Sequence, residues 1–172
     1  MKPTFVHIAL AAAYTTSLGC STTTATLDGD SVVREATADH ISIGVDDYEA
    51  SIAWYRNMFN FDVEKEWTVD GLPGVKLAYL LKDDFRIEII FGGDGDPVVA
   101  PDDFPGHFNR KGFGHLCFYV VDVDLAMAEL NDRGVPTFVP AKDYSVGSER
   151  RVAFVLDNSG NVIELAGPLN GE

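Results

Sequence analysis

Two histidines and two glutamates are spaced so that they could hold a metal ion: His40, Glu88, His115 and Glu164. His40 precedes Glu88 by 48 residues, and His115 precedes Glu164 by 49. Glu88 stands within Arg86-Ile87-Glu88-Ile89-Ile90, and Glu164 within Val162-Ile163-Glu164-Leu165-Ala166. A carboxylate in so apolar a run is costly unless it faces solvent, is paired or binds a cation. One such Glu ordinarily faces solvent, and one His at the start of a strand is ordinarily structural. Two of each at matched positions of two segments point instead to a shared task. Two imidazoles and two carboxylates form a mixed nitrogen and oxygen set that suits one divalent ion per site: zinc, nickel, cobalt, iron or manganese. Such an ion acts as a Lewis acid on a carbonyl, and a loosely held Glu beside it can take a proton.

The elements that must position these residues come from a repeat. His40-Ile41-Ser42-Ile43-Gly44-Val45-Asp46-Asp47 lies over His115-Leu116-Cys117-Phe118-Tyr119-Val120-Val121-Asp122 at an offset of 75 residues. A repeat of this length signals two copies of one supersecondary unit. Each copy reads as a strand, a helix and three strands. In the first, residues 39–45 alternate as a strand. Asp47 is a helix N-cap, and Ile52, Tyr55 and Phe59 share one helical face within 48–59. Strands follow near 61–69, 74–82 and 85–91, with Gly71-Leu72-Pro73-Gly74 as the turn between the first two. The second copy predicts a strand at 113–121, a helix at 123–133 ended by Gly134, and strands near 136–140, 150–156 and 161–166. The fold class is α+β, with two βαβββ modules forming a curved mixed sheet around the metal site. The domain spans 39–168, with module 1 at 39–93, a linker at 94–111 and module 2 at 112–168.

The linker belongs to a Pro-, Gly- and Asp-rich stretch from Gly92 to Gly112, long enough to cover a site. Phe104, Phe108 and Arg110 could form a lid there or simply rest on the domain. His107 reads as a solvated loop residue. Cys117, two residues after His115 on the same strand face, could line the pocket, although a small buried side chain is the plainer reading. Trp54 and Tyr55 read as helix packing.

On these residues the chain resembles the vicinal-oxygen-chelate superfamily, which includes glyoxalase I, extradiol dioxygenases and bleomycin- and fosfomycin-resistance proteins. The resemblance covers about 39–168 and implies metal ligands from the first and fourth strand of each module, here His40, Glu88, His115 and Glu164. Lys111-Gly112-Phe113-Gly114-His115-Leu116 is similar to a strand motif of glyoxalase I. The stretch from Ala153 to Leu165 resembles the closing motif shared across the superfamily. The glyoxalase likeness implies lyase or isomerase chemistry on a small molecule with vicinal oxygens, through an enediolate. Glu164 is the first choice of base and Glu88 the second. It also implies either one site per chain or a homodimer with two ligands from each subunit. The likeness breaks where glyoxalase I contacts glutathione. Gly44 stands in place of an Arg and Gly92 in place of an Asn, and only the basic Lys111 remains for substrate. Two alternatives stay open. An iron(II) extradiol-type dioxygenase would use His40, His115 and Glu164, but Phe154 offers no hydroxyl. A non-catalytic resistance protein would hold a drug in the cleft.

The termini and charge complete the reading. Lys2, the apolar stretch from Phe5 to Ala13 and then Ser17-Leu18-Gly19-Cys20 form a signal peptide over 1–20. Leu18-Gly19-Cys20 resembles a bacterial lipobox, with Ser17 where Leu is usual, which implies lipidation at Cys20. Residues 21–38, rich in Ser, Thr, Ala and Asp, form a tether. The expected location is the bacterial cell envelope, as a periplasm-facing lipoprotein or else as a secreted or periplasmic soluble protein. The expected membrane contact is through the lipid alone. The net charge of −14 excludes a nucleic-acid partner, which needs clustered Lys and Arg. Only Cys20 and Cys117 are present, so lipidation leaves no internal disulfide.

Overall fold

Asp47 and Asp122 start two helices at equivalent places. The Asp47 side chain accepts the backbone N–H of Ala50, and the Asp122 side chain that of Leu125, as N-caps do. The computed structural model describes Val33 and residues 36–169. The expected signal peptide, Cys20 and most of the tether lie outside the described residues.

The first module runs β1 (His40–Val45), α1 (Tyr48–Phe59), β2 (Asp62–Thr68), β3 (Lys76–Lys82) and β4 (Phe85–Phe91). A short helix follows, α2 (Phe104–Asn109). The second module runs β5 (Leu116–Tyr119), α3 (Val123–Asp132), β6 (Thr137–Asp143), β7 (Arg150–Leu156) and β8 (Val162–Pro168). Each module forms a four-stranded mixed sheet, in the orders β1-β4-β3-β2 and β5-β8-β7-β6. The first and fourth strands are parallel and the rest antiparallel. The helix closes each unit, since a parallel pair needs a crossover. Among the described residues no helix is long and apolar enough to cross a membrane.

Period two separates two faces on β1 and β4. Ile43, Val45, Ile87 and Ile89 are buried in the main core with Ile52 and Tyr55 of α1. That core continues into module 2 through Leu116, Val123, Met127, Ile163 and Leu165. His40, Ser42 and Glu88 therefore lie on the opposite face. A smaller core on the corresponding face of the second sheet gathers Val139, Val152, Phe154, Val162 and Ala166, with Phe104 of α2 against it.

The structure corrects three expectations. β5 is shorter than 113–121, because Gly112 has φ +101° and Phe113 and Gly114 stay outside the ladder. β6 runs on to Asp143, with register shifts on the way. The linker contains α2, capped by Asp103, whose side chain accepts from the Gly106 N–H, with a proline in its first turn.

Gly92 follows β4 with φ +95°, and a Cβ there would lie 2.4 Å from the Gly74 carbonyl oxygen. The backbone thus leaves no room for a side chain at position 92. Gly92→Ala is expected to destabilise the domain by about 2 kcal/mol or more. Urea unfolding of the variant checks this, and a midpoint unchanged from the parent would refute it.

Candidate metal centre

In the first module Ser42 on β1 is the register partner of Glu88 on β4. His40 Nε2 lies 3.6 Å from Glu88 Oε2, and the Ser42 hydroxyl donates to that same oxygen at 2.5 Å. The other edge of the His40 ring is also engaged. Its Nδ1 is 2.6 Å from Asp39 Oδ2, while Asp39 Oδ1 accepts from Arg86 Nη1 at 2.6 Å. Arg86 is held in turn by two hydrogen bonds to Glu64. The His40 hydrogen bond, with Arg86 in support, keeps the Asp39 carboxyl below its ordinary range. Tyr79 rests beside this group, its ring 5.1 Å from that of His40.

The second module repeats the arrangement with different chemistry. Cys117 on β5 pairs in register with Glu164 on β8. His115 Nε2 lies 3.0 Å from Glu164 Oε2. Cys117 stands where Ser42 stands in module 1. The residue is exposed, yet desolvation of its thiol against the sheet, with the adjacent Glu164 charge, pushes the thiol up to about 12. It is protonated at neutral pH. The His115 ring meets Phe154 of β7 edge-on, with centroids 5.6 Å apart.

His107 departs from the sequence reading. It is not a solvated loop residue: it is 5% exposed, on α2, with Nε2 2.9 Å from His115 Nδ1. Burial, aided by His115 and Arg110, holds His107 below its ordinary range, so it is neutral at pH 7. Phe104 of the suspected lid packs on Phe154, with centroids 5.0 Å apart, while Phe108 remains exposed. Arg110 donates to the Val99 carbonyl. Lys111 is exposed in the segment before β5.

The four expected ligands thus form two His–Glu pairs. Among the described residues no three His, Cys, Asp or Glu side chains converge as a metal cluster. Each pair still suits a metal: an imidazole nitrogen lies beside a carboxylate oxygen, at 3.6 Å in the first module and 3.0 Å in the second, half-buried, with the far side of each imidazole engaged. A pair supplies two of the three or four protein donors that such ions take. A cavity of about 310 Å³ lies at the end of β1 and β4, lined by Gly44, Asp46, Ile90, Gly92 and Asp96 among others. By period two, Gly44 and Ile90 continue the face that carries His40 and Glu88.

Duplicated βαβββ modules, with His40 and Glu88 on the parallel strands of the first and His115, just before β5, beside Glu164 of β8 in the second, define a double-module protein. The chain belongs to the Glyoxalase/Bleomycin resistance protein/Dioxygenase superfamily, whose family model matches residues 37–165. It is 25% identical over 142 residues to a lactoylglutathione lyase of Schizosaccharomyces pombe, covering 74% of this chain and 46% of that enzyme. It thus spans about half the length of that relative. An ethylmalonyl-CoA/methylmalonyl-CoA epimerase of Cereibacter sphaeroides is 26% identical over 137 residues, covering 74% of this chain and 94% of that one. Among solved structures, a glyoxalase family protein from Enterococcus faecalis superposes with a TM-score of 0.63 at 22% identity, over 76% of this chain and 96% of that one. This last likeness speaks for the fold alone.

Proposed function

We propose that this protein is a divalent-metal-dependent lyase or isomerase that moves a proton on a small substrate carrying vicinal oxygens. The observation that carries the reading is the matched register of the two modules. Ser42 opposite Glu88 and Cys117 opposite Glu164 put a His–Glu pair at the same place on each sheet. The two pairs supply four donors, and a homodimer that brings the first pair of one chain to the second pair of another completes two sites. The metal, when bound, polarises the substrate oxygens as a Lewis acid. Glu164 acts as the base. Besides its histidine, Glu88 has an oxygen engaged by the Ser42 hydroxyl, whereas Glu164, beside His115, meets the weakly donating thiol of Cys117 at the matched position.

The relatives' names support proton-transfer chemistry of this kind, and the cavity in module 1 bears on the substrate. It presents Asp46 and Asp96 and no basic side chain, so the carboxylates of glutathione have no partner there. We assign a small neutral or cationic substrate instead. From the sequence we place the protein in the bacterial cell envelope, anchored through Cys20.

Elemental analysis of the full chain, beside a sedimentation measurement, tests this. The expected result is about one divalent metal per chain in a dimer, lost in His40→Ala/His115→Ala. Iron in place of the other ions would move catechol cleavage forward. No metal after incubation with divalent ions would overturn the enzyme reading in favour of ligand capture.

A further inference from the structure

We propose that Gly44 sets the size of the group the substrate carries: by lacking a side chain, it leaves the cavity at the end of β1 and β4 open to a short aliphatic group that ends in an ammonium. The inference rests on the function proposed above and concerns the part of the substrate beyond its reacting oxygens. Its starting point is a cost. A glycine inside a strand has no side chain to pack and loses more backbone freedom on folding than any other residue. Gly44 is the fifth of the six residues of β1. A strand keeps such a glycine for a bulge, for a left-handed backbone, or for the close approach of another chain segment or a ligand.

The structure removes every reason but the last. The register of β1 on β4 runs unbroken from His40 opposite Arg86 to Val45 opposite Phe91, so there is no bulge at Gly44. Gly44 is not among the glycines with positive φ. A Cβ built on it meets no atom within 4 Å. Gly92, which lines the same cavity, shows the contrast: its φ of +95° and the Gly74 carbonyl beside it demand glycine. The Gly44 carbonyl accepts from the Asn161 amide, a bond that any residue at 44 could accept. The repeat agrees. Tyr119 stands 75 residues further on, at the same place in β5, and carries a full side chain that is 68% exposed.

What remains is a ligand. Ile43 and Val45 are buried in the core, so a side chain at 44 would leave β1 on the opposite face, the one that carries Ser42 and Glu88. Gly44 lines the cavity of about 310 Å³ there. That volume lies at the low end for small-molecule sites, about 300–1,000 Å³, and suits a compact group. Ile90, Phe91 and Val98 give it apolar walls, while Asp46 and Asp96 add carboxylates and no basic side chain opposes them. An aliphatic chain with a terminal ammonium matches both features.

The test uses the full chain without metal and three probes: n-butylammonium, n-butanol and butyrate. Backbone 1H–15N shifts of Gly92, Gly93, Gly95 and Val98 report on the cavity. n-Butylammonium is expected to move these amides. Butyrate, repelled by both carboxylates, should bind at least about threefold more weakly, with n-butanol between them. Gly44→Val should weaken n-butylammonium binding by about 10-fold or more, as a filled apolar pocket does, and Gly44→Ala by less. The urea midpoint of Gly44→Val should meanwhile hold or rise, because valine suits a strand better than glycine. A glycine kept for the backbone would show the reverse, a lowered midpoint in both variants, and that result would overturn the proposal. Unchanged affinity in Gly44→Val would also overturn it, as would cavity amides that ignore n-butylammonium in the parent. Butyrate or n-butanol binding as tightly as n-butylammonium would overturn the ammonium end. The metal content of the same parent keeps the two readings apart. A parent that takes up no divalent ion overturns the function proposed above and leaves the amide shifts to decide the role of Gly44. A metal-binding parent whose cavity ignores all three probes overturns this inference alone.

Discussion

Glu164→Gln is expected to lower turnover by about 10²- to 10⁴-fold, the span over which a positioned general base acts. Gln keeps the size and can still place a carbonyl oxygen toward the metal position, but it cannot carry away a proton. Glu164 is suited to that task by where β8 puts it. Both neighbours, Ile163 and Leu165, are buried on the core side, which turns the carboxylate to the other face, 3.0 Å from His115 Nε2. The partner across the ladder is Cys117, a poor hydrogen-bond donor. Glu88 differs, because Oε2 accepts the Ser42 hydroxyl. Glu88→Gln should therefore show mainly as weaker metal binding, with activity returning when metal is in excess. Steady-state rates at saturating metal, with metal content measured on the same samples, separate the two. If Glu88→Gln stays inactive at full metal occupancy while Glu164→Gln works, the roles are reversed.

The repeat made most of this arrangement readable before any coordinates. An offset of 75 residues aligns His40 with His115, and the alternation around Glu88 and Glu164 places each carboxylate on the face away from the main core. Period two is a property of the strand itself, so sequence suffices to assign a face. It says nothing of the distance between two sheets, and the separation of the four residues into two pairs was therefore not legible. His107 was missed for a related reason. A histidine in a stretch rich in Gly, Pro and Asp looks solvated, and its burial depends on Phe154 and His115 from other elements. A local signal did exist: Asp103-Phe104-Pro105 is an N-cap followed by a proline in the first turn, the pattern of a helix start. Tyr55 reads from its helical spacing as packing. Its ring does pack, at 5.9 Å from Phe61, but its hydroxyl also reaches a carboxylate 102 residues away.

That carboxylate, Asp157, carries a large expected stability effect. Asp157 is 5% exposed and accepts four hydrogen bonds. Oδ1 takes the backbone N–H groups of Ser159 and Asn161, at 2.9 and 2.8 Å. Oδ2 takes the Tyr55 hydroxyl and the Asn161 amide, both at 2.9 Å. Tyr55 is fully buried on α1, and burial, with Asp157 adding to it, keeps its hydroxyl protonated well beyond the ordinary tyrosine range, so the donor persists. The turn that Asp157 organises also holds β1. Ser159 Oγ accepts from the Asp46 N–H, and the Asn161 amide donates to the Gly44 carbonyl. Asp157→Ala would strand a buried hydroxyl and loosen two backbone donors, and each unsatisfied group costs about 1–3 kcal/mol. The expected loss is about 3–5 kcal/mol, a large share of the stability of a domain of this size. Tyr55→Phe removes one donor and leaves the carboxylate three others, so it should cost only about 1–2 kcal/mol. Urea midpoints for the two variants and their double mutant check the argument. If the hydroxyl acts through Asp157, the double mutant is no less stable than Asp157→Ala. Full additivity would show that the two groups stabilise the junction between modules independently. Because the same turn fixes the end of β1, Asp157→Ala should also weaken metal binding at His40, four residues before Gly44 on the strand.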